Sequence, residues 1–534
     1  VGLLRVKSLL LMPLCHPEDI TVKQNFANLR ETRLLPGFLA RPASLFIAAA
    51  LLLFLMLDGR ELWTQEHRWA DIVSGMFFRH DFFHPLLDSN DYYDKPLLSY
   101  WLIALVSFIT NQLNLWVLRL PSAFAGLLAV WSIYKLGLRL KDQYFGLLCG
   151  WLLTTTFYFI FWSRVSSADM LNLSGSLFAV YWYFEKRESQ QWTDYAVFYL
   201  ILALTSLCKG LVGAVVPVLA ILPDLLHEQR FKKYLQWRII FAGIPALMVY
   251  IFPFLISSLS TNDLGHGQNG LYLVYRENIL RYFKPFDHKD PVYTYFLYLP
   301  IYLLPWSFFF IPALFSLKRR FRSLSWNSKW MAWALFAVFV FFTASGSRRS
   351  YYVLPLLPFA VLLTADWLDS NPIKGFKKAW SPWLLPFFFG LLLSYFALFQ
   401  PLFYAEGGHR YFAEKLQSEL NSMQTRETWQ FVLLDPETKI SFYLHLPPQV
   451  KFLGVNGDRE LQTQNSLLEA WPQLRTKSKR VVFISRKRYK AELLQLLPHY
   501  HLLEAQKTLG ERLFHLDDSE AAIAFIPPEA AEVS

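Results

Sequence analysis

Two small clusters of opposite charge stand out in this sequence. Glu66, His67 and Arg68 adjoin one another in "LWTQEHRWADIVSGM", and Asp94 and Lys95 in "YYDKPLLSYW". A carboxylate beside a cation can take a proton from a hydroxyl while the cation holds a phosphate. The plain alternative is solvated loop charge with ordinary surface pairing. Asp169 is a third candidate. It follows "FWSRVSSA" and opens an apolar run, and ionisable groups at a membrane boundary are often functional. An Asp there also suits a helix start, where free amides and the macrodipole favour it. Further cations stand at Lys209 in "CKG", Arg276 and Arg281 in "YRENILRYF", and Arg348 and Arg349 in "SGSRRSYY". An anionic ligand would gather such groups, and so would lipid phosphates. His288, in "FDHKDP", could be a metal ligand or a base, although a lone loop histidine is more often neither.

The elements that must position these residues are membrane helices. The chain has 534 residues, 54% hydrophobic and 17% charged, against about 25% charged in soluble domains. Apolar runs predict about eleven spans, near 43–57, 117–137, 144–162, 170–184, 193–208, 211–226, 239–257, 293–316, 330–345, 351–368 and 382–402. The run 97–110 is too short to span and reads as an interfacial helix. With it on the surface, the basic loops alternate correctly. Arg139 and Lys141, Lys186 and Arg187, Arg230 to Arg238, Lys318 to Arg322 and Lys374 to Lys378 share one side with Arg30, Arg33 and Arg41. That side is cytoplasmic by the positive-inside rule.

The resulting fold class is an all-α polytopic membrane protein with a C-terminal soluble α/β domain. Its expected parts are a cytoplasmic segment 1–42, a multi-spanning region 43–402 with outer loops 58–116 and 258–292, and an extracytoplasmic domain 403–534. That last part alternates strand-like and helical text, as in "WQFVLLD", "VKFLGV" and "RVVFISR". Every candidate phosphate ligand precedes residue 370, so carrier binding should not need residues 403–534. The net charge of +11 lies in short loops and reads as topology, not as a nucleic-acid surface. Cys15, Cys149 and Cys208 have neither metal spacing nor the even count of a disulfide framework. No Gly-rich nucleotide fingerprint is present. The first forty residues are mixed and polar, without a signal-peptide pattern.

In order along the chain, the motifs resemble the GT-C membrane glycosyltransferases related to bacterial aminoarabinose (lipid A) transferase and protein O-mannosyltransferases. "QEHRWADIVSGM" resembles their D-E-x-R-Y-A-E-I stretch, and "YYDKPLLSYWLIAL" their F-E-K-P-P-L-x-Y-W segment. "LRLPSAFAGLLAVW" is similar to R-L-P-S-A-x-x-G, "SRVSSADM" to R-x-x-x-x-D, and "LCKGLVGAVVP" to L-x-K-G-P-x-G-x-x-x-P. "LLPWSFFF" and "SGSRRSYYVLPLLP" resemble the late P-W-S and K-R-x-x-Y-x-L-P-x-x-P segments. The collinear set covers about residues 45–370.

The resemblance implies an undecaprenyl- or dolichyl-phosphate sugar donor and a lipid A, glycan or protein acceptor. Transfer would occur on the periplasmic side of the bacterial inner membrane. It implies Arg68, Lys95 and the Arg348 to Tyr352 region as carrier-phosphate ligands, joined by Lys209, Arg276 and Arg349. Asp169 and the acidic group of the first motif, Glu66, would serve the acceptor. Asp94 stands where the family often has Glu, and with His288 it forms the metal expectation; no nucleotide cofactor is implied. One departure matters. The family's leading Asp is Gln65 here, which cannot act as a base, so a catalytically altered member is an alternative reading. A transporter or flippase of lipid-linked sugars is another, and would need ionisable groups deep in the bundle. A structural membrane subunit is the third.

Overall fold

Each apolar run folds as a helix because no water is available to its backbone in hydrocarbon, and polar residues mark where each begins. The computed structural model describes residues 35–63, 65–87, 90–92, 95–189, 191–234, 236–259, 270–284, 288–370, 381–423, 429–434, 439–446, 451–453 and 480–528. Helix α1 (Pro42–Phe54) starts with proline in its first turn, where a missing N–H costs nothing. After α2 (Glu66–Arg79) and the short α3 (Leu98–Thr110) comes α4 (Leu115–Leu140), whose Asn114 cap accepts from the Val117 amide at 3.0 Å. Asp142 caps α5 (Gln143–Thr154) in the same way. Then follow α6 (Phe157–Ser163), α7 (Ala168–Lys186), α8 (Trp192–Lys209), α9 (Val212–Leu226) and α10 (Ile244–Leu259). Helical turns run from 270 to 283. The series continues with α11 (Thr294–Tyr302), α12 (Ser307–Arg320), α13 (Trp326–Ala344), α14 (Leu357–Ser370) and α15 (Leu384–Ser394).

Among the described residues, five helices are long and apolar enough to cross a membrane, or six if one bent pair counts as a single span. Among the remaining apolar runs, some give shorter helices, such as α1 and α9, whereas α7 and α8 are 19 and 18 residues long but less apolar. The span at Leu115–Leu140 and that at Ser350–Ser370 are largely enclosed, whereas Trp237–Leu259 and Leu384–Phe403 present most of their surface outward. The first two therefore form the centre of the bundle and the last two its rim.

Two runs that read as unbroken are broken. The 144–162 run bends by 69° between α5 and α6. The Thr155 and Thr156 hydroxyls donate back to the Trp151 and Leu152 carbonyls at 2.6 and 2.7 Å, an alternative to the helix ladder that weakens it locally. The 293–316 run splits between α11 and α12, at Pro305, which has no N–H to continue the ladder. The two breaks meet. The Phe157 amide donates to the Leu304 carbonyl at 3.0 Å, and the Trp306 indole donates to Thr155 Oγ1 at 3.1 Å. Tyr158 stacks on Tyr302 with ring centres 4.2 Å apart. Each break thus satisfies backbone and side-chain groups that the other exposes.

After the last apolar helix, α16 (Gly408–Met423) leads into a five-stranded mixed sheet. Its strands are β1 (Trp429–Leu434), β2 (Lys451–Leu453), β3 (Arg480–Arg486), β4 (His501–Glu504) and β5 (Ala522–Ile526), in spatial order β2-β1-β3-β5-β4. The first three are parallel and the last two antiparallel to their neighbours. The central strands are buried on both faces, which explains text such as "VVFIS" and "AIAFI". The short helices α17 (Ile440–Tyr443), α18 (Lys490–Leu496) and α19 (Leu509–Leu513) connect them.

Candidate active site

Glu66 begins α2 and is wholly enclosed, with no exposed side-chain surface. Arg119, one turn into α4, donates to both of its oxygens at 2.9 and 2.8 Å. The Trp63 and Ser166 amides complete the shell at 2.7 and 2.8 Å. Burial alone would raise this carboxyl, but the Arg119 guanidinium beside it, with the Arg60 charge and the Ser166 amide, holds it below the usual carboxylate range. Arg119 also grips the carbonyls of Leu57, Arg60 and Glu61 at 3.0, 2.9 and 2.8 Å. The pair therefore ties the first loop to α4 and to the segment that carries Asp169.

Asp169 is not the cap of α7. Ser167 is, its hydroxyl accepting from the Asp169 amide at 3.3 Å. The Asp169 carboxylate is thereby left for Lys209, which it meets in a close ion pair. Lys209 Nζ also lies 4.8 Å from the centre of the Tyr352 ring, within cation–π range. Gly210 follows at φ +104°, ψ −174°, a conformation that suits glycine alone. A Cβ there would approach Asn278 Oδ1 to 2.5 Å, and that same oxygen accepts from the Leu211 amide at 2.6 Å. The turn that aims Lys209 is therefore stapled by the 270–283 segment.

Lys209, Leu211, Asn278 and Tyr352 line one cleft, and Asp169 joins it through its pair with Lys209. A cavity of about 410 Å³ is bounded on its polar side by Lys95, Lys209, Glu277, Arg281 and Tyr352, and on its apolar side by residues including Leu211, Val215, Phe283 and Phe341. A smaller neighbouring cavity shares Lys95, Lys209, Glu277 and Asn278. Tyr351 lies within electrostatic reach of Asp169, Arg349 and Lys95. Cations beside an apolar wall can bind a phosphate that carries a long hydrocarbon.

The other expected residues fall elsewhere. Arg68 donates to the Tyr92 hydroxyl at 3.1 Å and does not line the cleft. Arg276 stands 3.7 Å from Glu277. Arg348 is spent on backbone, donating to the Asp290 carbonyl at 2.7 Å and to those of Thr343 and Ser345. His288, at φ +56°, accepts from the Arg348 amide through its carbonyl at 2.6 Å. Asp94 lies outside the described residues. Among the described residues no three His, Cys, Asp or Glu side chains are grouped to hold a metal ion. Gln65 is exposed at the start of α2.

Sequence reasoning missed Glu277, Asn278 and Arg119. Glu277 pairs with Arg281 one turn on, at 2.5 Å, and the i, i+4 spacing in "RENILR" was the available signal. Arg119 could have been found as a charge inside an apolar span, which is costly unless paired.

The architecture is shared, as a fold, with a solved membrane protein. The chain superposes on the crystal structure of ArnT from Cupriavidus metallidurans bound to undecaprenyl phosphate with a TM-score of 0.66, covering 92% of this chain and 98% of that one at 15% identity. Residues 94–256 match the family model described as dolichyl-phosphate-mannose-protein mannosyltransferase. The particular relatives are the undecaprenyl phosphate-alpha-4-amino-4-deoxy-L-arabinose arabinosyl transferases. That of Shewanella sediminis is 27% identical over 340 residues, 61% of this chain and 60% of the relative. An uncharacterized protein of Aquifex aeolicus is 28% identical over 346 residues, 62% of this chain and 64% of its own length. The chain thus matches less than two thirds of the length of either.

Proposed function

We propose that this protein transfers a glycosyl group from an undecaprenyl-phosphate-linked sugar to a hydroxyl or phosphate of lipid A, a glycan or a protein. The reading places the chain in the bacterial inner membrane as about eleven spans, with segment 1–42 cytoplasmic. The cleft and the 403–534 domain would face the periplasm. The observation that carries it is the meeting of Lys95, Lys209, Arg281 and Tyr352 with an apolar wall in one cavity.

In this mechanism the bond between the sugar's anomeric carbon and the carrier phosphate breaks. Its electron pair passes to the phosphate oxygen, where Lys95, Lys209 and Arg281 balance the charge. The acceptor oxygen bonds to the anomeric carbon and gives its proton to Asp169. Lys209 links the two events, since it pairs with Asp169 and faces the cavity. Glu66 acts at one remove, as the buried anchor that seats the loop. Arg68, Arg276, Arg348 and Arg349 support the carrier phosphate through the segments that they hold. Should a divalent metal take part, Asp94 and His288 are its proposed ligands.

The test is transfer by the full chain in lipid nanodiscs, given a labelled undecaprenyl-phosphate sugar and extracted envelope acceptors. Release of free undecaprenyl phosphate together with a labelled acceptor is the expected result. Movement of the donor across the bilayer with no new glycosidic bond would refute the reading. Mass spectrometry of envelope lipids and glycans with and without the protein then names the sugar and acceptor.

A further inference from the structure

Leu509, Leu513, Phe514 and Leu516 crowd a short stretch that should be polar if it faced water. Their exposures are 40%, 63%, 71% and 51%. They belong to α19 and the turn after it, in the part of the chain that carries the sheet. We propose that residues 509–516 are a membrane-docking element that inserts into the lipid leaflet at the end of the last apolar helix. There it would hold the sheet-bearing part against the bilayer.

Position carries the argument. The last apolar helix ends at Phe403, and α19 rests on that end. A Cβ added to Gly510 would run into the Phe403 ring. The outward residues of the same helix, Leu398, Phe399 and Leu402, are themselves 59–65% exposed, so the patch adjoins an exposed apolar surface on a helix long and apolar enough to cross a membrane.

The placement is fixed rather than incidental. The link from Phe403 to α16 passes through Gly407 and Gly408 at φ +87° and +81°. The Gly408 amide donates to the Gln506 carbonyl at 2.8 Å, and Gly407 lies against the Lys507 backbone. Helix α19 is too short to form on propensity alone, yet it has a complete capping box. The Thr508 amide donates to Glu511 at 2.7 Å, and the Glu511 amide to Thr508 Oγ1 at 3.3 Å. A rigid, capped turn is therefore held with its leucines and phenylalanine outward.

The flanking groups suit a headgroup region. Arg512 is half exposed and 3.4 Å from Glu406, and Lys507 closes the turn by donating to the Leu516 carbonyl at 2.8 Å. Such side chains reach toward phosphate and water from an interfacial helix. Asp517 and Asp518 mark the return to the aqueous side. A second protein copy fits poorly: a stable interface buries about 800 Å² per partner, far more than four side chains supply.

The experiment uses the full chain in nanodiscs of phosphatidylethanolamine and phosphatidylglycerol. Nitroxide labels are placed at Phe514→Cys and Leu516→Cys, after Cys15, Cys149 and Cys208 are replaced by alanine. A reference label at His501→Cys sits on an edge strand whose side chain is 61% exposed. The labels at 514 and 516 should collide with oxygen more readily than with a water-soluble nickel chelate, and the reference should show the reverse. Labels that behave like the reference, or that are shielded from both agents as at a protein interface, would overturn the proposal. Hydroxyl-radical footprinting of the unaltered chain in nanodiscs checks it without substitution. Phe514 should be protected despite its exposure in the protein, and oxidation at the rate of a freely exposed phenylalanine would count against docking.

Discussion

Glu66→Gln separates an anchor from a base. The side chain is enclosed, and its partner Arg119 is nearly so, at 1% exposure. Removing one charge of a buried pair leaves the other uncompensated, at a cost of about 3–5 kcal/mol. Arg119 keeps three carbonyl acceptors, from Leu57, Arg60 and Glu61, which points to the lower end, about 3 kcal/mol. The expected outcome is a melting temperature several degrees lower in detergent, measured by intrinsic fluorescence. Transfer should fall in proportion to the folded fraction. Adding Arg119→Met removes that charge but strips the Leu57, Arg60 and Glu61 carbonyls of their donor and leaves Arg60 without its carboxylate, so it should recover little stability. The double variant should nonetheless lose less than the sum of the two single losses, because both remove the same ion pair, and a double-mutant cycle isolates the coupling. If Glu66→Gln melts normally while transfer is abolished, the carboxylate acts directly on the acceptor and the anchor reasoning is refuted.

Four further outcomes are expected. Asp169→Asn should lower transfer per folded molecule by about 10²-fold or more, as for loss of an acid–base group, with the fold retained; a near-normal rate would return Asp169 to a structural role. Gly210→Ala should strain the turn and misplace Lys209, and losing about 1.4 kcal/mol of phosphate contact would cut transfer about tenfold; an unchanged rate in the same assay would show that the turn tolerates a side chain. Gln65→Asp, at an exposed helix start, should leave transfer near its original rate, and a large gain would show that the missing acid limits this protein. Because the folded Glu66 carboxyl lies below its ordinary value of 4.5, its stabilisation is complete above that pH and is lost as pH falls through the lower folded value. Melting curves from pH 6 to pH 3 should therefore steepen their decline below about 4.5, and the Glu66→Gln, Arg119→Met double variant should decline less.

The helices were legible because a membrane allows few alternatives to an apolar, self-bonded segment. The ends of α4 and α8 lie within a few residues of the runs 117–137 and 193–208. The breaks were not legible. Thr155 and Thr156 are common in helices, and only the opposing break at Leu304 and Trp306 gives their neighbours partners. Lys95, Lys209 and Tyr352 could be read from motifs, and all three line the cleft. Glu66 was visible as an acid, but its burial depends on Arg119, 53 residues away, and no local pattern reports that distance. Arg348 looked like a ligand because its charge is plain in "SGSRRSYY", whereas its carbonyl partners arise from backbone folding alone. In the last part, β1 and β3 announced themselves by short apolar runs, β3's rich in β-branched residues. The edge strand β4 lacks an apolar run long enough to distinguish it.

The first loop is closed by residues that the ribosome reaches much later. The Leu62 amide donates to the Tyr443 hydroxyl, 381 residues on, at 2.7 Å, and Glu61 accepts from the Arg410 amide at 2.8 Å. Phe442 enters the same apolar cluster as Trp69, Tyr100 and Leu118. At about 5–20 residues per second, synthesis of the intervening chain takes roughly 20 to 75 seconds. Through that interval the first loop lacks its bonds to Arg410 and Tyr443. A chain stopped at residue 403 would be left permanently in that state. Residues 403–534 thus close the first loop last, so removing them tests the folding of that loop as well as carrier binding.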